Sequence, residues 1–453
     1  MVSYEENLRM VHTLAQRVSA AGGTVYYVGG YVRDLLRGVL SKDLDVEVHG
    51  IAPETLADIL DSLGERISMG ESFGIFGLRH YAVDIAMPRK EKLIGRGHKD
   101  FEVFVDPFIG TEKAAMRRDF TINAMMQNVL TGEIIDHFHG EADLKAGVLR
   151  HVNNETFVED PLRVLRAAQF AARFGFTLVP ETLSVCRTVS LDALSKERVA
   201  GELFKALDKA GRPSVFFETL RDCGQLDFWF PEIKALTGVP VGDCGQADNS
   251  VCDVYAHTMQ TLDAAAGYRL QVHEPRYFML AALMHDLGKA VCFQKGSPYD
   301  AHAEEGARAA KNLLDRLTDE KKAAVYVDNM VRLHMLPKTL SDAPPQEIYA
   351  LYDRSVSVED LIRLRQADDL AGPSPQDAQK TADLLFCTLE EYQRLALRPE
   401  VTGQDLLAAG LRPGKTFSVL LQYAHKLHLC GDDKEEAMAK VLEKARLSSS
   451  EET

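Results

Sequence analysis

The stretch VYYVGGYVRDLLRGVLSKDLDVEV, residues 25 to 48, constrains the fold of this chain more than any other. Its apolar run Val25–Val28 is typical of a short buried strand, and Gly29 and Gly30 indicate a tight turn before a helix that begins near Val32. Backbone N–H groups left free in such a turn, and at the start of the following helix, can bind a phosphate. The stretch therefore predicts a strand, a phosphate-binding turn and a helix.

Two aspartates follow at the end of the same stretch. In DLDVEV, residues 43 to 48, polar and apolar residues alternate, which predicts a second strand with Asp43 and Asp45 on one face. Two carboxylates about 6 to 7 Å apart along a strand can share metal ions, but they repel each other when unpaired. A D-x-D pair alone is more often a solvated strand face. Beside the glycine turn it predicts a site for a nucleoside triphosphate and metal ions.

Four sequence blocks resemble a known family. GGYVRDLLRG followed by KDLDVEV is similar to the head of the class II nucleotidyltransferases, which include tRNA CCA-adding enzymes and bacterial poly(A) polymerases. The other blocks, in the same order and spacing, are RRDFTINAM at 117–125, EDPLRVLRAAQFAARFGF at 159–176 and SKERVAGEL at 195–203. The resemblance implies an α+β fold: a nucleotidyltransferase head with a small mixed sheet and helices, then an all-α neck and body and an all-α HD domain.

The resemblance also implies roles for residues of the head. Asp43 and Asp45 would bind two Mg²⁺ ions, and Asp84, on a strand from Tyr81 to Ala86, would orient or deprotonate the attacking 3′-hydroxyl. Mg²⁺ suits hard oxygen ligands and keeps positions open for substrate phosphates, and two metals stabilise the attacking and the leaving oxygen. Further implied nucleotide contacts are Gly29, Gly30, Arg33, Arg117, Arg118, Asp119, Asn123 and Arg166. Alternatively, Asp84 is an exposed or ion-paired strand carboxylate, and the arginines lie on the surface.

Choice of nucleotide is predicted for Asp160 and Arg163, which match the family's E-D-x-x-R pattern. Residues three apart lie on one helix face. A carboxylate there accepts from an exocyclic amine while an arginine donates to the neighbouring ring nitrogen, which fits cytosine and adenine. Uracil and guanine present a carbonyl and an N–H instead. The sequence therefore predicts CTP and ATP as substrates. The same helix is expected to begin with Asp160 as N-cap and to end at Gly175.

A second set of residues resembles the HD phosphohydrolase superfamily. His285 and Asp286 stand in the sequence HDLGK. The resemblance implies these ligands for a divalent transition metal such as Mn²⁺, Ni²⁺ or Fe²⁺: His257, His285, Asp286 and Asp368. It implies a second metal or a phosphate for His302 and His334, and a phosphate for Lys289. Spacing leaves Asp368 and Asp369 as alternative ligands.

An active HD domain would hydrolyse phosphoesters, including those at RNA ends, with a metal-activated water. Alternatively, the domain keeps the fold while its histidines are core or surface residues.

Composition limits the remaining possibilities. A chain of 453 residues is too long for one core, and its 46% hydrophobic and 26% charged residues are those of an ordinary globular protein. No apolar run is long enough to span a bilayer, and the N-terminal segment MVSYEENLRM is unlike a secretion signal, which predicts a cytoplasmic protein. Seven scattered cysteines suit reduced thiols. The net charge of −15 argues against nonspecific coating of nucleic acid and leaves room for a local basic surface.

The expected domains are a head at 1–145, a helical neck that selects nucleotides and binds RNA at 146–237, an HD domain at 238–375 and a C-terminal helical region at 376–453. A linker is predicted at 238–250. In the head, 75–78 and 81–86 are expected to extend the sheet, and 103–105 to add an edge strand. Arg198 and Glu202, four residues apart, are expected to pair on one helix.

Taken together, the blocks predict an enzyme that adds CCA to the 3′ end of tRNA from CTP and ATP without a template. A bacterial poly(A) polymerase is the nearest alternative, but its basic head segment and basic tail are replaced here by MGESFG at 69–74 and an acidic terminus. An enzyme that adds only CC or only A is also compatible. An alternative of another class is a phosphohydrolase with a non-catalytic head. The sequence leaves the oligomeric state open.

Overall fold

The computed structural model describes residues 2–40, 44–68, 74–93, 101–242, 253–335, 343–396 and 400–450. Within these ranges the chain forms two compact units, Met1–Trp229 and Phe230–Thr453. Three predictions fall wholly or partly outside the described residues: Asp43, the segment at 69–73 and most of the linker at 238–250.

A mixed sheet forms the centre of the first unit, as predicted. Its spatial order is β3-β4-β5-β2-β1-β8-β9, and β2 and β5 are parallel while the other pairs are antiparallel. The described strands of the head, of which β6 and β7 lie outside this sheet, are β1 (Thr24–Val28), β2 (Leu44–His49), β3 (Arg66–Ser68), β4 (Ile75–Leu78), β5 (Val83–Ala86), β6 (Arg89–Leu93), β7 (Phe101–Val105), β8 (Met126–Asn128) and β9 (Ile134–Ile135). Alternating side chains of β1, β2 and β5 bury one face of the sheet in the core, which leaves the other face for polar residues.

The strand predicted at the edge of this sheet lies elsewhere. β7 pairs with β6 in a separate two-stranded sheet, with Arg89 opposite Val105. Strands that are neighbours in sequence usually pair with each other, and the antiparallel register satisfies the backbone of both.

The helices of the first unit surround the sheet and continue beyond it. They are α1 (Tyr4–Ala20), α2 (Gly30–Leu36), α3 (Pro53–Asp61), α4 (Thr111–Met116), α5 (Gly140–Ala146), α6 (Asn154–Glu159), α7 (Leu162–Phe174), α8 (Pro180–Thr188), α9 (Lys196–Lys209) and α10 (Ser214–Asp222). Two short parallel strands, β10 (Val148–Leu149) and β11 (Thr177–Leu178), interrupt the otherwise helical part after the head.

Helix α7 begins one residue later than expected, with Pro161 rather than Asp160 as its N-cap. Asp160 ends α6 in an extended conformation, and Pro161 precedes the first helical residue, Leu162. A proline disfavours helical dihedrals in the residue before it, so Asp160 cannot extend α7. Its carboxylate nevertheless accepts the backbone N–H of Leu162 at 3.1 Å. Gly175 ends the helix in the left-handed conformation with φ 70°, as predicted.

The described part of the second unit is helical, as expected. Its helices are α11 (Pro231–Lys234), α12 (Val254–Ala266), α13 (Pro275–Met284), α14 (Leu287–Lys295), α15 (His302–Leu317), α16 (Lys321–Leu333), α17 (Pro345–Tyr352), α18 (Val358–Leu370), α19 (Ala378–Ala396), α20 (Gly403–Ala408), α21 (Lys415–Leu429) and α22 (Lys434–Ser450). A search of the described helices finds none long and apolar enough to cross a membrane.

Two helices of this unit touch through glycine. A Cβ atom added to Gly288 in α14 would lie 1.9 Å from the carbonyl oxygen of His302 and 2.5 Å from the backbone nitrogen of Gly306, both in α15. Neither backbone atom can rotate away as a side chain would. Gly288 therefore sets the distance between the two helices.

We predict that Gly288→Ala lowers the stability of the second unit by about 3 kcal/mol or more, because overpacking must push α14 and α15 apart. Thermal unfolding of the full chain measures this. Gly201→Ala in α9 is the matched control, since its added Cβ would meet no atom within 4 Å and alanine favours a helix. An unchanged melting profile for Gly288→Ala would contradict the close contact.

Candidate active sites

The first candidate site lies on β2 and β5, where two carboxylates stand side by side. The parallel register places Asp45 directly opposite Asp84, so both side chains leave the same face of the sheet. Asp45 is partly buried and Asp84 is exposed. The glycine turn adjoins them: a Cβ atom on Gly29, which has φ 65°, would lie 3.8 Å from Asp45 Oδ2 and 3.4 Å from Arg118 Nη1. This arrangement supplies hard oxygen donors beside an open turn.

Glu47 is a residue of this site that sequence reasoning missed. It follows Asp45 by two residues and is only 7% exposed. It accepts a hydrogen bond from His49 Nε2 at 2.8 Å and one from Arg118 Nη2 at 3.4 Å. Burial alone would raise the pKa of Glu47, but His49 and Arg118 hold it below its ordinary value. The D-x-D-x-E alternation was the available signal. Glu47 thus holds Arg118 between the acids and the glycine turn.

Four of the predicted nucleotide contacts are hydrogen-bonded to one another. Arg33, 5% exposed, donates to Asp34 from Nε and Nη2 at 2.9 and 3.0 Å, and to Asn123 from Nη1 at 2.7 Å. Asn123 donates to Asp119 at 3.0 Å, and Arg166 donates to Asp119 at 2.7 Å. Burial opposes ionisation of Asp119, but Arg166 and Asn123 hold its pKa below the ordinary value. The chain of bonds connects α2 with α7.

The two residues predicted to choose the nucleotide also have protein partners. Arg163 donates to the backbone oxygens of Thr156 at 2.7 Å and Arg117 at 2.6 Å, which fixes the plane of its guanidinium group. Arg117 itself donates to the carbonyl oxygen of Arg89 at 3.0 Å. Both oxygens of Asp160 accept from Arg198 Nη2 at 3.0 Å.

The predicted pair between Arg198 and Glu202 is therefore wrong. Arg198 turns to Asp160, which lies 38 residues earlier in the chain, and Glu202 accepts from Lys205 at 2.8 Å. Glu202 is buried, and its Oε2 atom has no hydrogen-bond partner within the described ranges. Its charge, after that of Asp119, raises the pKa of Arg166 against the opposing effect of burial. Spacing along one helix could not reveal this tertiary arrangement.

The second candidate site brings the histidines and aspartates of the second unit together. His257 in α12, His285 after α13 and Asp368 in α18 place their ligand atoms within 4.8 Å of one another, and Asp286, His302 and His334 do the same. His257 Nε2 lies 2.8 Å from Asp368 Oδ1. In this geometry Asp368, rather than its neighbour, faces the histidines. Asp369 instead accepts from Arg365 Nε at 2.8 Å.

Asp286 belongs to the second group and also faces the two histidines of the first. Its Oδ2 atom is 3.3 Å from His285 Nε2 and 3.6 Å from His257 Nε2. Its Oδ1 atom is 3.7 Å from His302 Nε2 and 3.6 Å from His334 Nε2. One carboxylate thus faces both groups, each with one oxygen, which is the geometry of a bridging ligand. Lys289 Nζ donates to the Oδ2 atom at 2.6 Å.

The four histidines share one orientation. Each has Nδ1 next to a backbone carbonyl oxygen, which can only accept, so Nδ1 carries the proton and Nε2 faces the cluster. The pairs are His257 with Ala371 at 3.3 Å, His285 with Ala282 at 2.8 Å, His302 with Tyr299 at 2.6 Å and His334 with Val331 at 2.7 Å. His285 Nε2 and Asp286 Oδ1 are buried without a hydrogen-bond partner in the described chain. These atoms fit metal ligands.

Four ionisable side chains of the second site have pKa values shifted from their ordinary values. Although burial alone would raise it, the pKa of Asp286 is held well below its usual range by His285 and Lys289, and that of Asp368 by His257 and His285. Burial would lower the pKa of His285, but Asp286 and Asp368 raise it to about 10. Burial and the nearby His334 lower the pKa of His302 to about 4. Asp286, which is buried, and Asp368, which is partly buried, therefore stay ionised and attract cations.

Arg365 is a second residue that sequence reasoning missed. It is buried and donates from Nη1 to Asp368 Oδ2 at 3.3 Å, in addition to its bond to Asp369. Spacings of three and four residues in R-Q-A-D-D would have predicted both contacts. Arg365 leaves the Oδ1 atom of Asp368 directed at the histidines.

Comparison with known proteins gives three family matches and several relatives. Residues 25–150 match the Poly A polymerase head domain, 175–237 the probable RNA and SrmB-binding site of polymerase A, and 254–371 the HD domain. The Multifunctional CCA protein of Nitrosococcus oceani is 35% identical over 407 residues, which cover 88% of this chain and 96% of that protein.

Solved structures show the same fold. The Thermotoga maritima CCA-adding enzyme complexed with tRNA is 22% identical with a TM-score of 0.66, over 98% of this chain and 99% of that chain. A CCA-adding enzyme in complex with ATP is 21% identical with a TM-score of 0.68, over 97% and 94% of the two chains.

We predict that the second site binds about two equivalents of Mn²⁺, since imidazole and carboxylate donors form two groups around Asp286. Equilibrium dialysis should use the Asp45→Asn background to weaken binding by the first site. His334→Ala should retain about one equivalent and Asp286→Ala none. Exposed His12→Ala is the matched control. Two equivalents in His334→Ala would contradict the bridging geometry.

Proposed function

Because the chain belongs to the family of CCA-adding tRNA nucleotidyltransferases, we propose that it adds C, C and A to the 3′ end of tRNA from CTP and ATP without a template. The family predicted from the four sequence blocks is confirmed by the identity of 35% over 407 residues. The observation that best supports this activity at the first site is the strand register, which places Asp45 opposite Asp84 beside the Gly29 turn.

We propose that the head depends on divalent cations held by Asp45 together with Asp43, and we assign them as Mg²⁺ because the donors are hard oxygens. Bound there, the ions would stabilise the attacking and leaving oxygens at the α-phosphate. Asp84, exposed on the adjacent strand, orients the 3′-hydroxyl and accepts its proton. Arg118, held by Glu47, faces the triphosphate at the Gly29 and Gly30 turn.

Selection of C and A is assigned to Asp160 and Arg163. A carboxylate has lone pairs for more than one donor, so Asp160 can hold Arg198 and still accept from the exocyclic amine of the base. The carbonyl contacts of Arg163 fix the plane of the guanidinium group that would donate to the ring nitrogen of the base. The hydrogen-bonded residues Arg33, Asn123, Asp119 and Arg166 connect the glycine turn to α7, which carries Arg163 and follows Asp160 directly. We propose that they keep triphosphate and base in register.

For the second unit we propose a metal-dependent phosphohydrolase that acts on RNA ends. The shared orientation of its four histidines supports this proposal, as do the buried atoms His285 Nε2 and Asp286 Oδ1, which form no hydrogen bond within the described residues. The ligands would be His257, His285, Asp286 and Asp368 for one transition metal, and Asp286, His302 and His334 for a second. A bound metal would supply the activated water, and Lys289 would bind the phosphate.

The proposal includes a cytoplasmic location, where tRNA is processed, and the division into a head at 1–145, a neck at 146–237, an HD domain at 238–375 and a C-terminal region at 376–453. The remaining alternatives are a poly(A) polymerase and an enzyme that adds only CC or only A. Product length and composition separate all three.

The decisive assay incubates the full chain with tRNA that lacks its 3′ CCA and with labelled CTP, ATP or both. We expect incorporation that stops after C, C and A. Asp45→Asn should lower the rate by more than about 100-fold, because even indirect partners of metal ligands cost that much. His285→Ala, in the other unit, should add nucleotides at the wild-type rate. Long A tracts would show that the protein is a poly(A) polymerase.

A second prediction concerns specificity. Asp160→Asn presents an amide that can donate to the uracil carbonyl, so kcat/KM for UTP relative to CTP should rise by roughly 10- to 100-fold, as one polar mismatch of about 1 to 3 kcal/mol is relieved. Exposed Asp192→Asn on the same unit is the control. Equal loss with every nucleotide would mean that Asp160 serves structure and not selection.

A further inference from the structure

Three arginines converge on one aromatic ring in the first unit. Phe170 and Phe174 of α7 stack with ring centres 5.5 Å apart and planes 10° apart. The guanidinium carbons of Arg33, Arg37 and Arg173, which we name the arginine cluster, lie 4.7, 4.3 and 5.2 Å from the centre of Phe174. Arg33 and Arg37 come from α2 and its end, so the cluster joins the head to the next helical region.

The arginine cluster carries excess positive charge. Among the described residues its ion pairs run to Asp34 alone, 2.9 Å from Arg33 and 3.6 Å from Arg37. Arg173 forms neither an ion pair nor a hydrogen bond within the described chain, and its guanidinium group lies over the Phe174 ring. Burial lowers the pKa of Arg33, and the charges of Arg173 and Arg37 lower it further. Three cations share one carboxylate, and an added anion would relieve their repulsion.

The open side of the cluster is formed by Arg37 and Arg173. The Arg37 side chain is 30% exposed, and Arg173 and Phe174 are half-buried. Arg33 already donates hydrogen bonds to Asp34 and Asn123, so Arg37 and Arg173 are the more accessible arginines for a ligand. Helix α2 separates Arg37 from the Gly29 turn by its seven residues, or about 10 Å at 1.5 Å per residue. Arg33, by contrast, lies at the turn, since a Cβ atom on Gly30 would be 3.4 Å from its Nη2 atom.

We infer that Arg37 and Arg173, backed by Phe174, bind a phosphodiester group of the RNA strand whose 3′ end is extended. This inference rests on the proposed function. A guanidinium group binds phosphate through paired N–H donors, and packing on a ring holds its plane ready. Such a contact positions RNA and reads no base. Arg173 and Phe174 directly precede the segment at 175–237 that matches a probable RNA-binding family.

The test measures binding of tRNA that lacks CCA, without nucleotide, across a series of salt concentrations. Arg37→Gln and Arg173→Gln should each lower the slope of log affinity against log salt by about 0.7 to 0.9, so each loses about threefold more affinity at 50 mM than at 200 mM salt. The double variant should lose about twice that slope. Arg79→Gln, an exposed arginine already paired with Glu65, is the matched control. The KM values for CTP and ATP should stay unchanged.

Each outcome decides for or against the inference. Arg37→Lys and Arg173→Lys keep the charge without the flat stacking group, and they should restore most of the slope if the arginines act as phosphate contacts. An unchanged slope in the folded double variant, or a raised KM for CTP with unchanged tRNA affinity, would overturn the inference. If wild-type protein binds tRNA with the expected slope yet adds no CCA, the proposed function fails while the RNA contact stands.

Discussion

The parallel pairing of β2 with β5 is the constraint on which the first site depends. It holds Asp45 opposite Asp84, and like charges directly opposite each other in a sheet are destabilising. Glu47 adds a third carboxylate on the same face, although His49 and Arg118 neutralise it. Asp45 and Asp84 therefore present carboxylates side by side on adjacent strands, and bound cations would offset the repulsion between them.

The second unit also brings metal-binding side chains together, but it does so with helices. There, helices rather than strands bring the ligands together, and contact between Gly288 and α15 allows Asp286 to face His302 and His334 as well as His257 and His285. The ionised carboxylates of Asp286 and Asp368 attract cations, and softer imidazole donors favour transition metals over Mg²⁺. Two sites in one chain can therefore hold different ions, since one offers mostly oxygen and the other mostly nitrogen.

Sequence patterns predicted what is local and missed what depends on packing. Alternation in DLDVEV predicted the strand β2, and glycine positions predicted the turn and the end of α7. The predicted common face of Asp43 and Asp45 stays a prediction, because Asp43 lies outside the described residues. The i,i+4 rule failed for Arg198, because its partner Asp160 is distant in sequence. It also did not separate Asp368 from Asp369, which lie on one helix. Only packing against α12 directs Asp368 toward His257, whereas Asp369 accepts a hydrogen bond from Arg365.

Helix α7 explains how base selection and RNA contact can depend on each other. Arg163, Arg166, Phe170 and Arg173 follow one another at three- or four-residue spacing, so they form one stripe along its 13 residues, about 20 Å in length. Arg163 lies near one end with Asp160, the arginine cluster lies at the other, and Arg166 bonds Asp119 between them. A rigid helix transmits a shift at either end. Under the proposed function, the position of the RNA strand and the fit of the incoming base would therefore both depend on α7.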